Sequence, residues 1–503
     1  MSTVARKLVG QTAAYGISQI LGKVLNYLLV PFYTKMFAPA EYGIVTEMYA
    51  YVAFLNIVFT FGMETAFFRF ANKPGISATD LYNRVQSLLI TSSLLFAGII
   101  IALSGPLANV LGYPDKQHYL IWLALILATD AMVAIPFARF RLDNKAIKFA
   151  TLRFLNILLI VSANVFFLYF CKNIYEGNFL PQLKPLVDKI YNPDLRVGYV
   201  FLVNLLVNLL YFPLLWRQFR RFRFKLDLAW LKPLLKYAYP LMFMGLAGMV
   251  NEVLDRVLLK FWLPEDFYPG LSNMAAVGIY GACYKLSIFM TLTVQAFRYA
   301  AEPFFFSQSQ DKNSPKMFAK VMKWFMILCS FIFLFISANL EDFQMLLGQE
   351  IYRTGIRVVP ILLLANLFLG AYYNLAVWFK LTDKTHYGTF ISFGGAGLTI
   401  LLNYLLIPKL GYMGCALTTL ACYFSMAVAT LILGNRHYPV PYPVKAISSY
   451  LMLAIILTAA AFLIEIEDFV LRHLFHILLC GLFLLSVFAF EKPKFLTKFL
   501  TRS

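Results

Sequence analysis

Apolar residues along this chain come in runs about twenty residues long, separated by short polar turns. That pattern predicts membrane-spanning helices. About fourteen runs can be drawn, over 8–33, 42–66, 86–108, 117–138, 150–171, 197–216, 234–263, 274–301, 319–339, 356–379, 386–408, 412–433, 446–465 and 469–490. The expected fold class is all-α, a polytopic membrane protein. The seventh run departs from the pattern. Its stretch Asn251–Lys260, NEVLDRVLLK, places Glu252, Asp255, Arg256 and Lys260 inside a span. At helical spacing Glu252, Arg256 and Lys260 form one stripe, with Asn251 and Asp255 beside it. A charge facing lipid at mid-bilayer costs roughly 2.5 kcal/mol or more, so this face must turn toward protein or water. It reads either as a Glu252–Arg256 pair joining two helices or as a substrate or ion site. Five polar groups on one face favour the site.

Polar stripes recur on a few other runs. Gln11, Tyr15, Gln19, Lys23 and Tyr27 follow at i+4 steps on the first. Glu47 with Tyr51, and Asn56, Thr60 and Glu64, mark the second. Tyr280, Tyr284, Ser287, Thr291, Gln295 and Arg298 mark the eighth, with Lys285 adjoining. The fourth run has a lone Asp130. The first and second runs correspond to the seventh and eighth in a weak internal repeat, FAPAEYGIVTEMYAY against NMAAVGIYGACYKLS. The parsing that follows is a six-helix half over 1–216, a basic linker over 217–233, a second half over 234–436, and two extra helices with a basic tail over 437–503. Parallel repeats of this kind build transporters whose substrate site lies between the halves.

Charge sets the orientation. The chain of 503 residues is 60% hydrophobic and only 14% charged, with a mean hydropathy of +0.70. Its net charge of +19 matters less than where the cations fall. With the N-terminus inside, the inner segments hold about three times as many Lys and Arg as the outer ones. Both termini are therefore expected in the cytoplasm. The inner run RQFRRFRFK, Arg217–Lys225, reads as an anchor on anionic membrane lipid, with no nucleic-acid partner. The outer stretch Lys172–Arg196 has apolar residues at near-helical spacing and is expected to lie on the membrane surface. The six cysteines are scattered and read as small core residues.

No catalytic or nucleotide-binding signature is present: the chain lacks GxxxxGK[ST], HExxH, GxSxG and DxD. His473 and His476 lack a third ligand and read as a surface pair. Gly394, Gly395 and Gly397 read as close helix packing. A non-enzymatic transporter without cofactor or metal is expected. Cationic groups among tyrosines and amides suit a ligand with an anionic head and a hydroxyl-rich body.

EYGIVTEMYAY, then FGMETAFFRF, NEVLDRVLLK and VGIYGACYKLS…QAFRYAAEPFFF, together resemble the bacterial polysaccharide flippases. These are O-antigen and exopolysaccharide exporters of the multidrug/oligosaccharidyl-lipid/polysaccharide superfamily. The resemblance runs from Met1 to about Arg436. It implies two six-helix halves in a V around a central cavity, two further helices, and transfer of undecaprenyl-pyrophosphate-linked oligosaccharide to the outer leaflet of the bacterial cytoplasmic membrane. By position it carries over Lys23, Glu64, Asp255, Arg256 and Lys285. The single Lys on the first span departs from the several arginines of related lipid II flippases, which argues against lipid II as substrate. The residues expected to bind pyrophosphate or acidic sugar are Lys23, Arg256, Lys260 and Lys285. Tyr15, Tyr280, Tyr284 and Gln295 are expected to contact sugars. Glu64, Glu252 and Asp255 are expected to balance charge or carry a coupling ion, proton or sodium. A polysaccharide polymerase is the expected neighbour. The alternatives are an ion-coupled multidrug or cation antiporter and, further off, a membrane glycosyltransferase or polymerase.

Overall fold

A computed structural model describes residues 24–25, 27–308 and 313–491. Every regular element among them is helical. The long helices are α1 (Pro39–Thr60), α2 (Met63–Ala71), α3 (Ala78–Ala102), α4 (Gln117–Leu142), α5 (Ala146–Val165), α6 (Gly198–Leu209), α7 (Leu228–Trp262), α8 (Asn273–Leu286), α9 (Ile288–Gln308), α10 (Ser314–Ala338), α11 (Val358–Leu375), α12 (His386–Leu410), α13 (Tyr412–His437), α14 (Val444–Leu463) and α15 (Phe469–Glu491). Ten helical segments are long and apolar enough to cross a membrane, and α8 with α9 makes an eleventh as one span bent by 49°. The chain is thus a multi-pass membrane protein. The count of fourteen is not confirmed. The first expected span lies largely outside the described residues. The segment Gly198–Leu214 is shorter than a span, and α7 falls short of the others in apolarity.

The chain divides into two compact units, up to Val257 and from Leu258 onward. In the first, α4 is the central helix and is buried on several faces. Phe59 of α1 and Ala97 of α3 pack on Ala124, Leu127, Ala128 and Ala131 of α4. Such small residues let helices approach closely where lipid supplies no hydrophobic drive. Gln86 of α3 also donates to the Met132 carbonyl at 2.8 Å. The stretch expected to lie outside forms a short helix, Lys184–Ile190, which exposes Leu186 and Ile190 and buries Val187.

The expected second span is broken rather than straight. Phe61 and Gly62 both take left-handed conformations, with φ of 30° and 74°, between α1 and α2. A Cβ on Gly62 would stand 3.0 Å from the Ala238 carbonyl oxygen and 3.2 Å from Leu241 Cβ on α7. Gly62→Ala is therefore expected to destabilise the protein by about 1–2 kcal/mol, from the left-handed backbone alone. Unfolding in mixed micelles should show it, and an unchanged midpoint would mean that the break is not needed.

The basic linker is clipped to the start of α3. Asn83 and Ser87 accept from the backbone N–H groups of Arg223 and Lys225, at 3.1 and 2.7 Å. Arg84 pairs with Asp80 at 2.7 Å and with Asp227 at 2.8 Å. Its guanidinium also lies 4.6 Å from the centre of the Trp230 ring. Asp227 caps α7, accepting from Trp230 N–H at 3.1 Å. The C-terminal end of the basic run is therefore tied to α3, and α7 begins at Leu228, six residues before the expected span. The Trp230 amide and then Arg84 hold the Asp227 carboxyl below its ordinary value. A depressed pKa stabilises the folded state above the unfolded value, and that stabilisation is lost as pH falls through the folded value. Asp227→Asn is expected to remove this acid-range dependence of the unfolding midpoint; an unaltered pH profile would contradict the clip.

In the second unit α11 is the buried centre, packing on α13, α10 and α9. The two final helices dock on α10. Glu491 of α15 pairs with Lys323 of α10 and accepts from the Tyr450 hydroxyl of α14 at 3.2 Å. At the other end Arg472 meets Glu341 at 2.5 Å, and His473 shares a hydrogen bond with Asp342 at 3.0 Å. His476 faces Asn339 at 3.3 Å. It is buried, which corrects the surface-pair reading, and each histidine serves this helix seam. The glycine reading is corrected at Gly394 and Gly397 but not at Gly395, which is buried and whose carbonyl accepts from Cys422 Sγ of α13 at 3.5 Å. A Cβ on Gly394 or Gly397 would meet nothing within 4 Å, whereas one on Gly414 would press the Leu406 backbone at 2.6 Å. Close packing of α12 on α13 falls at Gly395 and Gly414.

Candidate functional site

The first unit carries the polar stretch of α7. Asn251, Asp255 and Arg256 are buried, at 5%, 4% and 9% exposure. Glu252 is exposed and, further along the helix, Lys260 is half-buried. Asp255 Oδ1 accepts from the Arg256 backbone N–H at 2.9 Å. Arg256 Nη1 donates at 3.2 Å to the carbonyl oxygen of Glu252. Tyr27 lies within electrostatic reach of Arg256 and Glu252. A buried guanidinium beside a buried carboxylate is a site of fixed charge, and its planar fork matches phosphate oxygens. Lys23 and Tyr15, the other expected contacts on the first span, lie outside the described residues.

Glu64, in the first turn of α2, pairs with Arg141 near the end of α4. Both are more than a third exposed. This arrangement is charge balance at a helix end.

In the second unit the eighth expected span is two helices, α8 and α9, bent at Ser287. The bend interrupts its polar stripe. Tyr280 is fully buried and packs edge-on to Tyr284 at 6.2 Å. Tyr284 and Gln295 are half-buried, and Lys285 and Arg298 are exposed. The Arg298 guanidinium lies 4.7 Å from the centre of the Tyr373 ring. Asn366 of α11 bridges the bend: it donates to Ser287 Oγ at 3.3 Å, and its oxygen faces Thr291 Oγ1 at 3.4 Å. Asn273 Nδ2 donates to the carbonyls of Lys260 and Leu263, at 3.3 and 2.7 Å, tying α8 to the end of α7.

Two polar clusters of the first unit were not singled out as sites in the sequence. Glu47 of α1 has no exposed surface. It accepts from the Tyr51 hydroxyl at 2.7 Å and from the Tyr113 hydroxyl. Burial, and then Glu47, push the Tyr113 hydroxyl well above its ordinary value, so it stays a donor. Asp130 is not alone either. Asn208 of α6 donates to it at 3.1 Å, and Asn156 of α5 donates to Asn208 at 3.1 Å. Asn156 and Asn208 are amides inside apolar runs, which is the signal that marks them in the sequence. Among the described residues no group of three His, Cys, Asp or Glu side chains stands close enough to hold a metal.

Apolar helices, some of them bent or broken and carrying buried charge, define a polytopic membrane fold. A family model described as polysaccharide biosynthesis protein matches residues 8–310, and the chain belongs to that family. Its fold is shared with the lipid II flippase MurJ in an inward closed conformation. The TM-score there is 0.70 at 12% identity, covering 95% of this chain and 99% of that one. A mutant of the Vibrio cholerae MATE transporter VcmN matches at a TM-score of 0.56 and 13% identity, covering 87% and 99%. An inward-facing multidrug resistance MATE family transporter of the MOP superfamily matches at 0.57 and 13%, covering 85% and 96%. No curated protein matches by sequence.

Proposed function

We propose that the chain is a flippase. It carries undecaprenyl-pyrophosphate-linked oligosaccharide units from the inner to the outer leaflet of the bacterial cytoplasmic membrane, for cell-surface polysaccharides such as O-antigen or exopolysaccharide. The observation that supports this most is the family match over 8–310 on a fold shared with a lipid II flippase. The substrate's diphosphate needs a cation held in place, and Arg256 is a buried cation on α7.

In this reading Arg256, Lys260, Lys285 and Lys23 meet the diphosphate or acidic sugars. Tyr15, Tyr284 and Gln295 meet sugar rings, and Tyr280 supports Tyr284 from behind. Asp255, Glu252 and Glu64 balance the cations or take up a coupling proton or sodium, Glu64 from the first turn of α2. Access alternates between leaflets, both termini lie in the cytoplasm, and a polysaccharide polymerase stands next in the sequence of reactions. The halves are 1–216 and 234–436, joined by the 217–233 linker and followed by two extra helices over 437–503.

The likeness to MATE transporters favours one second reading, an ion-coupled antiporter of small cations. Binding separates the two. Purified protein is expected to bind a polyprenyl-diphosphate oligosaccharide, with no competition from small lipophilic cations. Tight cation binding without affinity for the lipid would replace the flippase reading.

A further inference from the structure

The first unit holds a second charged feature, away from the polar stretch of α7. Where α3 and α5 begin and α4 ends, a cavity of ≈ 370 Å³ opens on the side that the cation bias assigns to the cytoplasm. Arg139 reaches it from α4, Asp143 and Lys145 from the turn between α4 and α5, Lys148 from the start of α5, and Arg217 and Arg221 from the linker. Five cations thus face one carboxylate. Asp143 engages two of them, Arg139 Nε and Lys145 Nζ, both at 3.0 Å.

Three buried polar atoms of the lining have no hydrogen-bond partner: Tyr82 Oη, Arg139 Nη1 and Gln218 Oε1. Buried groups of this kind are normally satisfied. Two are donors in a cationic setting, the arrangement that receives an anionic oxygen. The third accepts, which suits a neighbouring hydroxyl. A phosphate diester carrying a glycerol head supplies both, and the volume accommodates it.

The surroundings indicate where that phosphate comes from. Ile147, between Lys145 and Lys148, is 79% exposed, and Trp216, beside Arg217, is 62% exposed. Apolar and aromatic side chains left bare beside cations mark the level of the membrane surface. Basic pockets between spans on this side bind anionic headgroups. We propose that this cavity binds the phosphate of an anionic phospholipid headgroup from the cytoplasmic leaflet, separately from the transported substrate.

The test titrates the full purified chain in detergent with phosphatidylglycerol, reading bound lipid by native mass spectrometry. Removing three cavity charges together, Lys148→Gln, Arg217→Gln and Arg221→Gln, is expected to weaken binding on the order of tenfold. Tyr82→Phe, which deletes one hydroxyl and keeps the ring, should weaken it about threefold. Removing three charges elsewhere, Lys316→Gln, Arg436→Gln and Lys445→Gln, should leave it unchanged. A second arm adds inorganic phosphate. Phosphate held by the cavity, while phosphatidylglycerol binding is indifferent to the cavity charges, would reject a phospholipid as the ligand and leave a site for soluble phosphate. Equal loss in both triple variants, or loss in neither, would overturn the site.

Discussion

Arg256→Ala is expected to reduce glycan transfer at least about 100-fold while the protein remains folded. The residue is 9% exposed on α7, beside Asp255 at 4%. Truncating it removes the donation from Nη1 to the Glu252 carbonyl and leaves a space where a buried cation stood. The same truncation removes the planar fork proposed to hold the diphosphate. Arg256→Lys separates these effects. It keeps the charge, so stability should be close to wild type, but a lysine holds phosphate as a point charge only. Transfer by Arg256→Lys is expected to fall about tenfold, with the fold intact by unfolding midpoint. Full transfer by Arg256→Ala at matched protein levels would remove Arg256 from the substrate path.

Glu47→Leu is expected to destabilise the first unit by about 2–4 kcal/mol. Glu47 is fully buried and accepts from Tyr51 and Tyr113, which reach it from its own helix and from the connection before α4. Leucine fills much of the space but accepts nothing, so both hydroxyls lose this acceptor. Glu47→Gln keeps one acceptor oxygen and should cost less. Combining Glu47→Leu with Tyr113→Phe should cost less than the sum of the two, because the partner is already gone. Strict additivity in unfolding experiments would mean that the Tyr113–Glu47 contact contributes nothing.

Much of the architecture is written in apolar run lengths, because a bilayer demands about 20 apolar residues whatever the sequence around them. Asn251, Asp255 and Arg256 were legible for the same reason: polar groups inside such a run stand out, and the structure buries all three. Periodicity identifies a face but not what faces it. The clip of Arg84 to Asp227 joins residues 143 positions apart, and Asp130 finds Asn208 78 positions away. The bend at Ser287 and the break at Phe61–Gly62 depend on neighbours as well, the first on Asn366 and the second on Ala238 of α7. Gly394 and Gly397 show the converse, small residues that face open space where a seam was expected.

The most direct test of the flippase reading is leaflet accessibility of polyprenyl-linked oligosaccharide in inverted vesicles. The vesicles carry the wild type, Arg256→Ala, Asp255→Asn or no added protein. Transfer of the glycan to the vesicle interior by the wild type, lost in Arg256→Ala and absent without the protein, is the predicted result. A wild type that transfers no glycan, in vesicles that expel a small cation under an ion gradient, would contradict it.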